Sequence, residues 1–200
     1  MHSYSIDSDI RRTLYLGLAV AAVFLPSGIA KLSEYLSLLF ASSPTFAWPI
    51  GVGATYGILF FLFDKFLWKF TGFIHHVPNL NGTWQAAGTS SYQVDAAGSP
   101  VAEFSLKVII RQTFTRIEIF AESKDSTSRS TMASLCSSGA VTLVRYSFEN
   151  TPKSKATPDM QRHPGLIELR MDSSNRMIGD YFSGKHRLRY GELTMDREPK

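Results

Sequence analysis

The uncharged stretch TLYLGLAVAAVFLPSGIA, residues 13–30, decides the first part of the fold. An α-helix rises about 1.5 Å per residue, so these 18 residues extend over about 27 Å, close to the hydrocarbon thickness of a bilayer. A second uncharged stretch covers residues 35–63, and aromatic residues typical of a membrane surface border its most apolar part. We therefore predict two transmembrane helices, near residues 13–31 and 46–68.

The charges beside these stretches predict their orientation, because positive side chains are retained on the cytoplasmic side. Arg11 and Arg12 precede the first stretch and Lys65 follows the second, whereas Lys31 is the single cation between them. Both chain termini are then cytoplasmic. An alternative is that the first stretch is a cleavable signal peptide, since residues 28–30 have the small-x-small pattern of a cleavage site. The second helix ends in the cytoplasm in either case.

The composition of the remaining chain limits its partners. From Val77 onward there are 16 Lys and Arg against 13 Asp and Glu, a mild basic excess. A protein that binds long nucleic acid needs Lys and Arg clustered along one face, so we expect no such partner, and a small anionic ligand or anionic lipid instead. Cys136 is the single cysteine, so the chain has no internal disulfide, which fits a reducing compartment.

The sequence after the apolar stretches alternates between apolar and polar residues with the period of a β-strand. Phe104, Leu106, Val108 and Ile110 are an example of this spacing. Turn-forming residues interrupt the alternation at short intervals. The strands that we predict lie near residues 82–92, 101–111, 115–122, 129–137, 140–149, 165–171, 176–182 and 187–196.

Eight short strands that follow one another directly suit an up-and-down antiparallel β-barrel, because closure removes the unpaired sheet edges. A two-sheet sandwich is the alternative, since the connection of residues 150–164 is long enough to cross between sheets. The predicted fold class is a membrane-anchored all-β protein. Two N-terminal transmembrane helices, residues 1–76, precede an eight-stranded antiparallel up-and-down β-barrel, residues 77–200.

The barrel region carries a series of spaced motifs that begins with LNGTW at residues 80–84. The later motifs are Ser126-x-Ser128-x-Ser130, Leu143-x-x-Tyr146-x-x-x-Asn150-x-Pro152, His163-x-Gly165, Gly179-x-Tyr181-Phe182 and Arg187-x-Arg189-x-Gly191. In this order and after two apolar stretches, they resemble the two-transmembrane, β-strand-rich effectors of CBASS antiphage defence. The resemblance implies a multi-pass protein of the bacterial inner membrane with its C-terminal domain in the cytoplasm. It also implies that the barrel binds a cyclic dinucleotide, and that homo-oligomers then disrupt the bilayer of an infected cell.

A pocket for a cyclic dinucleotide needs cationic or amide donors for two phosphates and flat side chains for two bases. Residues of these types lie in or beside the motifs, and Arg187 is the foremost because it lies in a matching segment. The candidate ligand-binding residues are Arg187, Tyr181, Tyr146, Arg145, Arg189, Ser128, Ser130, Asn150, His163 and Trp84.

Several candidates have a simpler structural interpretation. Trp84, at the start of the barrel, is typical of a core residue that closes one end. Arg145 and Arg189 each precede a tyrosine, and since side chains alternate along a strand, one residue of each pair faces outward. Asn150 and His163 border the long connection, where a hydrogen bond that tethers the loop is the simpler role.

Two other classes of function remain open. A membrane-tethered, lipocalin-like barrel that binds a lipid or apolar metabolite would have the same fold, with an apolar interior that lacks arginines. An enzyme would need a recognisable catalytic motif. The sequence has no phosphate-binding glycine loop, zinc-binding helix motif or nucleophile elbow, so we predict no catalytic activity, cofactor or metal site.

Overall fold

The computed structural model describes residues 1–6, 9–40, 51–72, 76–91, 102–138, 141–154, 161–184 and 189–199. The chain forms two compact units, one of Asp9–Thr71 and one of Met1–Ser8 together with Gly72–Lys200. The first residues of the chain thus belong to the same unit as the β-strands, an arrangement that the sequence pattern did not predict.

The unit Asp9–Thr71 is helical. Helix α1 covers Ile10–Phe40, helix α2 covers Val52–Lys65, and a 3₁₀ turn follows at Leu67–Lys69. Within α1, Ile10–Leu36 is long and apolar enough to cross a membrane, and among the described residues it is the single helix that meets both conditions. The first residues of the second predicted span, 46–50, lie outside the described part, so that span stays a prediction.

The other unit is a closed sheet, which confirms the predicted eight-stranded antiparallel barrel. Its strands are β1 His2–Ser3, β2 Ser5–Ile6, β3 Gly82–Ser90, β4 Ala102–Gln112, β5 Arg116–Glu122, β6 Ser126–Ser138, β7 Val141–Pro152, β8 His163–Ser173, β9 Arg176–Ser183 and β10 Arg189–Arg197. From β3 to β10 each strand pairs with the next one along the chain, and β10 pairs with β3. Because the sheet closes on itself, the two-sheet sandwich is excluded.

The pairing between β5 and β6 is the shortest in the barrel. It joins residues 120–122 to residues 127–129. The register of β6 then shifts between Ser130 and Met132, and such a bulge bends the strand away from its neighbour. Beyond this point β1 pairs antiparallel with β5, and β2 pairs in parallel with β6. The N-terminal residues therefore fill a gap in the barrel wall.

Apolar side chains fill one end of the barrel. Trp84 is completely buried there, its indole N–H donates to the carbonyl oxygen of Leu80 at 3.0 Å, and the guanidinium of Arg197 lies 4.6 Å from its ring centroid. The surrounding side chains, each at most 2% exposed, are Val108, Ile110, Phe114, Ile117, Met177 and Met195. Burial of this apolar surface is the main favourable term in the folding of the barrel.

Candidate ligand-binding cavity

The barrel contains a cavity of about 440 Å³ at the end opposite Trp84 and its apolar neighbours. Cavities of about 300–1,000 Å³ are typical of small-molecule sites. The strand register places polar residues at the mouth, aromatic residues along the wall and aliphatic residues at the floor. The floor residues are Leu106, Val108, Ile119, Ile167 and Leu193.

Three polar residues of the mouth lie side by side on β6, β7 and β8. Asn150 is directly opposite Ser128 on one side and His163 on the other. The hydroxyl of Ser128 donates to Asn150 Oδ1 at 3.0 Å, so the amide nitrogen is the donor end of the Asn150 side chain. Asn150 and His163 are 5% and 9% exposed, so these two polar groups are held in fixed positions.

His163 has a defined ring orientation. Its Nδ1 lies 2.8 Å from the carbonyl oxygen of Gln161. Since a carbonyl oxygen can only accept, Nδ1 carries the hydrogen of this bond. This contact holds the start of β8 to the end of the connection from β7, which is the tethering role that the sequence suggested as the simpler one.

The mouth carries charges of both signs. Arg189 and Lys124 are its cationic residues, and Glu103 and Asp125 are its carboxylates. The position of Arg189 follows from its pairing with Ser183, whose hydroxyl donates to the Arg189 carbonyl oxygen at 3.2 Å. A ligand in this cavity therefore meets cations, carboxylates, an amide and hydroxyl groups at one end.

The aromatic residues of the cavity wall lie against glycines. Phe148 is directly opposite Gly165, Phe104 is opposite Gly88, and Tyr181 is opposite Gly191. A Cβ atom on any of these glycines would be in close contact with the opposite ring. Because glycine leaves this space to the ring, the rings lie along the wall and the centre of the barrel stays open. Phe104 and Tyr181 also contact each other edge to face, with centroids 5.4 Å apart.

The structure resolves which residue of each arginine–tyrosine pair faces inward. Tyr146 lines the cavity, whereas Arg145 lies on the outer wall and forms an ion pair with Glu168. At the other pair the order is reversed, because Arg189 lines the cavity and Tyr190 is 62% exposed. Burial raises the pKa of the Tyr146 phenol, so it is a neutral group of the wall.

Six of the predicted site residues line the cavity, and the other four do not belong to its described lining. The six are Tyr146, Tyr181, Ser128, Asn150, His163 and Arg189. Trp84 lies in the apolar end, Arg145 on the outer wall and Ser130 in the wall between β5 and β6. The hydroxyl oxygen of Ser130 accepts the Ile119 N–H at 2.9 Å and forms a hydrogen bond with His2 Nε2 at 2.8 Å. Arg187 lies outside the described residues.

Sequence reasoning missed several cavity residues, although some had a detectable signal. Phe148 lies midway between Tyr146 and Asn150, so the alternation along one strand places all three on the same face. Phe104 begins the apolar alternation of β4 and could have been assigned in the same way. Lys124 gave no such signal, because it stands in a turn where no periodicity indicates its direction.

The fold and the cavity together define a membrane-anchored protein whose closed antiparallel barrel encloses a ligand-sized space. Residues 75–197 match the family described as Cap15, cyclic dinucleotide receptor domain, and residues 13–69 match Cap15, TM helices. CD-NTase-associated protein 15 of Yersinia aleksiciae is 32% identical over 152 residues, which cover 74% of this chain and 70% of that protein. The chain therefore belongs to the Cap15 family of CBASS-associated proteins, and the resemblance seen in the sequence is confirmed.

Proposed function

We propose that this protein binds a cyclic dinucleotide in its barrel cavity, assembles with other copies and disrupts the inner membrane of a phage-infected bacterium. The observation that carries the proposal is the combination of cationic groups at the mouth and aromatic rings on the wall of one cavity. Membership in a family with a cyclic dinucleotide receptor domain supports the choice of ligand.

The mouth offers the groups that two phosphates and two sugars need. The guanidinium of Arg189 can bond a phosphate through two N–H groups at once, and Lys124 adds a point charge. The amide nitrogen of Asn150 is a neutral donor beside them. Glu103 and Asp125 would repel a phosphate placed against them, so we assign them to the hydroxyl or amino groups of the nucleosides.

The aromatic wall offers faces for the bases. Tyr181, Phe104 and Phe148 lie below the polar mouth, and the stacking of one base on one such ring contributes about 1–3 kcal/mol in other nucleotide-binding proteins. The rings are held by their glycine partners, so little conformational entropy is lost when a base stacks on them.

The aliphatic floor favours a second candidate, a membrane-tethered barrel that binds a fatty acid. Its carboxylate would lie beside Arg189 and its chain against Leu106 and Leu193. This ligand offers no hydrogen-bond donor to the carboxylates of the mouth and no acceptor to the amide nitrogen of Asn150 beyond its own carboxylate, and polar groups that are desolvated without a new partner cost free energy. A cyclic dinucleotide offers phosphates to the cations and hydroxyl or amino groups to the carboxylates, so we prefer it to the fatty acid.

We propose two membrane crossings, with both termini in the cytoplasm. The N-terminal residues and the barrel form one unit, so they lie on the same side of the membrane. If α1 crosses once, the chain must cross a second time before the barrel begins. Arg11, Arg12 and Lys65 support the cytoplasmic side. In inverted membrane vesicles, a protease added outside should digest the barrel, and protection of the barrel would contradict this orientation.

Calorimetry on the full chain in lipid nanodiscs tests the ligand. The titrants are cyclic dinucleotides that contain each purine and pyrimidine base, and palmitate. We expect at least one cyclic dinucleotide to bind, Arg189→Met to weaken it about tenfold or more, and the matched outer-wall variant Arg145→Met to bind as the wild type does. Binding of palmitate but of no cyclic dinucleotide would establish the second candidate instead.

Dye release from liposomes tests the effect on the membrane. Liposomes that carry the full chain should leak when the cyclic dinucleotide that binds is added, and those with Arg189→Met should stay sealed at the same concentration. A ligand can shift assembly only by the difference between its affinities for the separate and assembled forms. Sealed liposomes in the presence of a bound ligand would contradict membrane disruption and leave the ligand assignment intact.

A further inference from the structure

The first residues of the chain occupy a groove in the barrel wall between β5 and β6. His2 and Ser3 pair with Ile117 and Arg116, and Ser5 and Ile6 pair with Ser134 and Leu135. Tyr4, between the two short strands, is only 3% exposed. We call residues 1–6 the N-terminal strap. An extended segment that completes a sheet in this way gains its affinity from main-chain hydrogen bonds and its specificity from buried side chains.

The strap is joined to the beginning of the barrel by Gln112, which is 4% exposed. Its side-chain oxygen accepts the Leu80 N–H at 2.8 Å, and its side-chain nitrogen donates to Tyr4 Oη at 3.3 Å. Its backbone forms two further hydrogen bonds with the amide group of Asn81, at 2.7 and 2.9 Å. One buried glutamine therefore holds two segments that are far apart in the chain.

Those two segments are the chain's connections to the helical unit. Tyr4 lies six residues before the first residue of α1, Ile10, and Leu80 lies 15 residues after the last residue of α2, Lys65. Gln112 therefore bonds a residue on each of the two segments that lead to the helical unit.

The strap and the cavity share the strands β5 and β6. Ile119 and Ala121 of β5, and Ser126 and Ser128 of β6, line the cavity. The strands separate at Ser130, whose hydroxyl bonds both the Ile119 N–H and His2 of the strap. A ligand that contacts both strands favours the arrangement in which they are held together. In the structure the strap pairs with both of these strands, with β5 through His2–Ser3 and with β6 through Ser5–Ile6.

We propose that the groove between β5 and β6 is a regulatory strand-binding site, and that seating of the N-terminal strap in it is linked to occupancy of the cavity. The ligand tightens the strap, and the seated strap raises the affinity for the ligand by the same factor, because linkage between two sites is reciprocal. This inference rests on the proposed function, since it takes the cyclic dinucleotide as the ligand.

Hydrogen exchange on the wild-type chain in nanodiscs tests the linkage without any variant. The probe is the cyclic dinucleotide that binds most tightly in the calorimetric panel. We expect amide exchange in residues 1–6 to slow at least threefold when it is bound. Binding with no change in the exchange of these residues would overturn the linkage and leave the proposed function intact. If no cyclic dinucleotide binds, both are overturned.

A pair of variants tests the reverse direction. Tyr4→Ala removes the buried side chain of the strap and should weaken the ligand at least threefold, while Tyr190→Ala on the outer wall should not. Ser3 and Arg116 are directly opposite and exposed, so a disulfide between Ser3→Cys and Arg116→Cys, in a Cys136→Ser background, holds the strap in place. Addition of this disulfide to Tyr4→Ala should restore the affinity. Failure to restore it in a folded protein would contradict the proposal.

Discussion

The ring of Phe148 lies over Gly165, the residue directly opposite it on β8. The same relationship recurs for Phe104 with Gly88 and for Tyr181 with Gly191. In an eight-stranded barrel, inward side chains of ordinary size are enough to fill the interior. A glycine directly opposite each ring leaves space for the ring along the wall, so the cavity results from the placement of glycines as much as from the aromatic residues.

Substitution of Gly165 by alanine should reduce both stability and ligand affinity. The new methyl group would meet the Phe148 ring and would lie 2.6 Å from the carbonyl oxygen of Phe182, which the barrel backbone holds in place. Overpacking of this kind costs about 1–3 kcal/mol, and a displaced ring would enter the cavity. Urea denaturation of the full chain in detergent measures the loss of stability, and calorimetry measures the loss of ligand affinity.

Gly184→Ala is the matched control for this prediction. A methyl group at this position has no heavy atom closer than the carbonyl oxygen of Pro164 at 3.8 Å, which is an ordinary contact distance. We expect the free energy of unfolding of this variant to stay within about 0.5 kcal/mol of the wild type, as for most surface changes. Equal losses in both glycine variants would show that the aromatic ring is not the cause.

Substitutions of Trp84 and Tyr181 should have different effects on stability and ligand affinity, because Trp84 closes one end of the barrel and Tyr181 lines the cavity. Trp84→Phe removes the indole N–H bond to Leu80 and part of the face that Arg197 covers, which should cost about 1–3 kcal/mol of stability. The folded Trp84→Phe variant should bind the ligand with the affinity of the wild type. Tyr181→Leu should instead weaken the ligand with a smaller loss of stability. A loss of ligand binding by folded Trp84→Phe would contradict this division of roles.

The strands could be predicted from the sequence because a barrel has one inner and one outer face. Alternation along β4 and β7 follows directly from that geometry, and turn-forming residues mark the strand ends. The sequence left the direction of Tyr146 open, because either an arginine or a tyrosine can line a cavity for an anionic ligand. The structure places Glu168 opposite Arg145, which holds the arginine on the outer wall.

The N-terminal strap could not be predicted from the sequence, and the reason is physical. Strands of two residues have no measurable periodicity, and their pairing depends on a gap that opens far along the chain. The gap begins at the bulge between Ser130 and Met132, and the bond from His2 to Ser130 joins residues 128 positions apart. Interactions of this range do not leave a local pattern.

Lys153 should stabilise the conformation of the turn between β5 and β6 at the cavity mouth. Its Nζ donates to the Glu122 carboxylate at 2.7 Å and to the Ser123 carbonyl oxygen at 2.8 Å, and its backbone N–H donates to the Asp125 carbonyl oxygen. These contacts hold the turn between β5 and β6, which lines the cavity. Lys153→Met should therefore weaken the ligand by about twofold to fivefold, the effect expected from one exposed ion pair. Arg145→Met, which breaks a pair on the outer wall, is its control.

The same ion pair should make ligand binding sensitive to acid. The hydrogen bond and the charge of Lys153 lower the pKa of Glu122 below its ordinary value of 4.5. The contribution of the pair is therefore present above pH 4.5 and is lost as the pH falls through the lowered pKa. The difference in affinity between wild type and Lys153→Met should shrink in that range, as measured by titration between pH 7 and pH 3.5. A constant difference would show that the carboxylate is not involved.

Tyr146 should make the wild-type barrel sensitive to alkaline pH. Burial raises the pKa of its phenol above the ordinary value of 10.0. Below pH 10 the phenol is protonated in the folded and unfolded chains. Above pH 10 the phenol ionises first in the unfolded chain, so stability is lost as the pH rises toward the raised pKa.

Tyr146→Phe removes this ionisation, and its free energy of unfolding should fall less than that of the wild type between pH 8 and pH 11. Urea denaturation across this range measures the difference. If Tyr146→Phe followed the wild type, the phenol would not be buried in the folded protein.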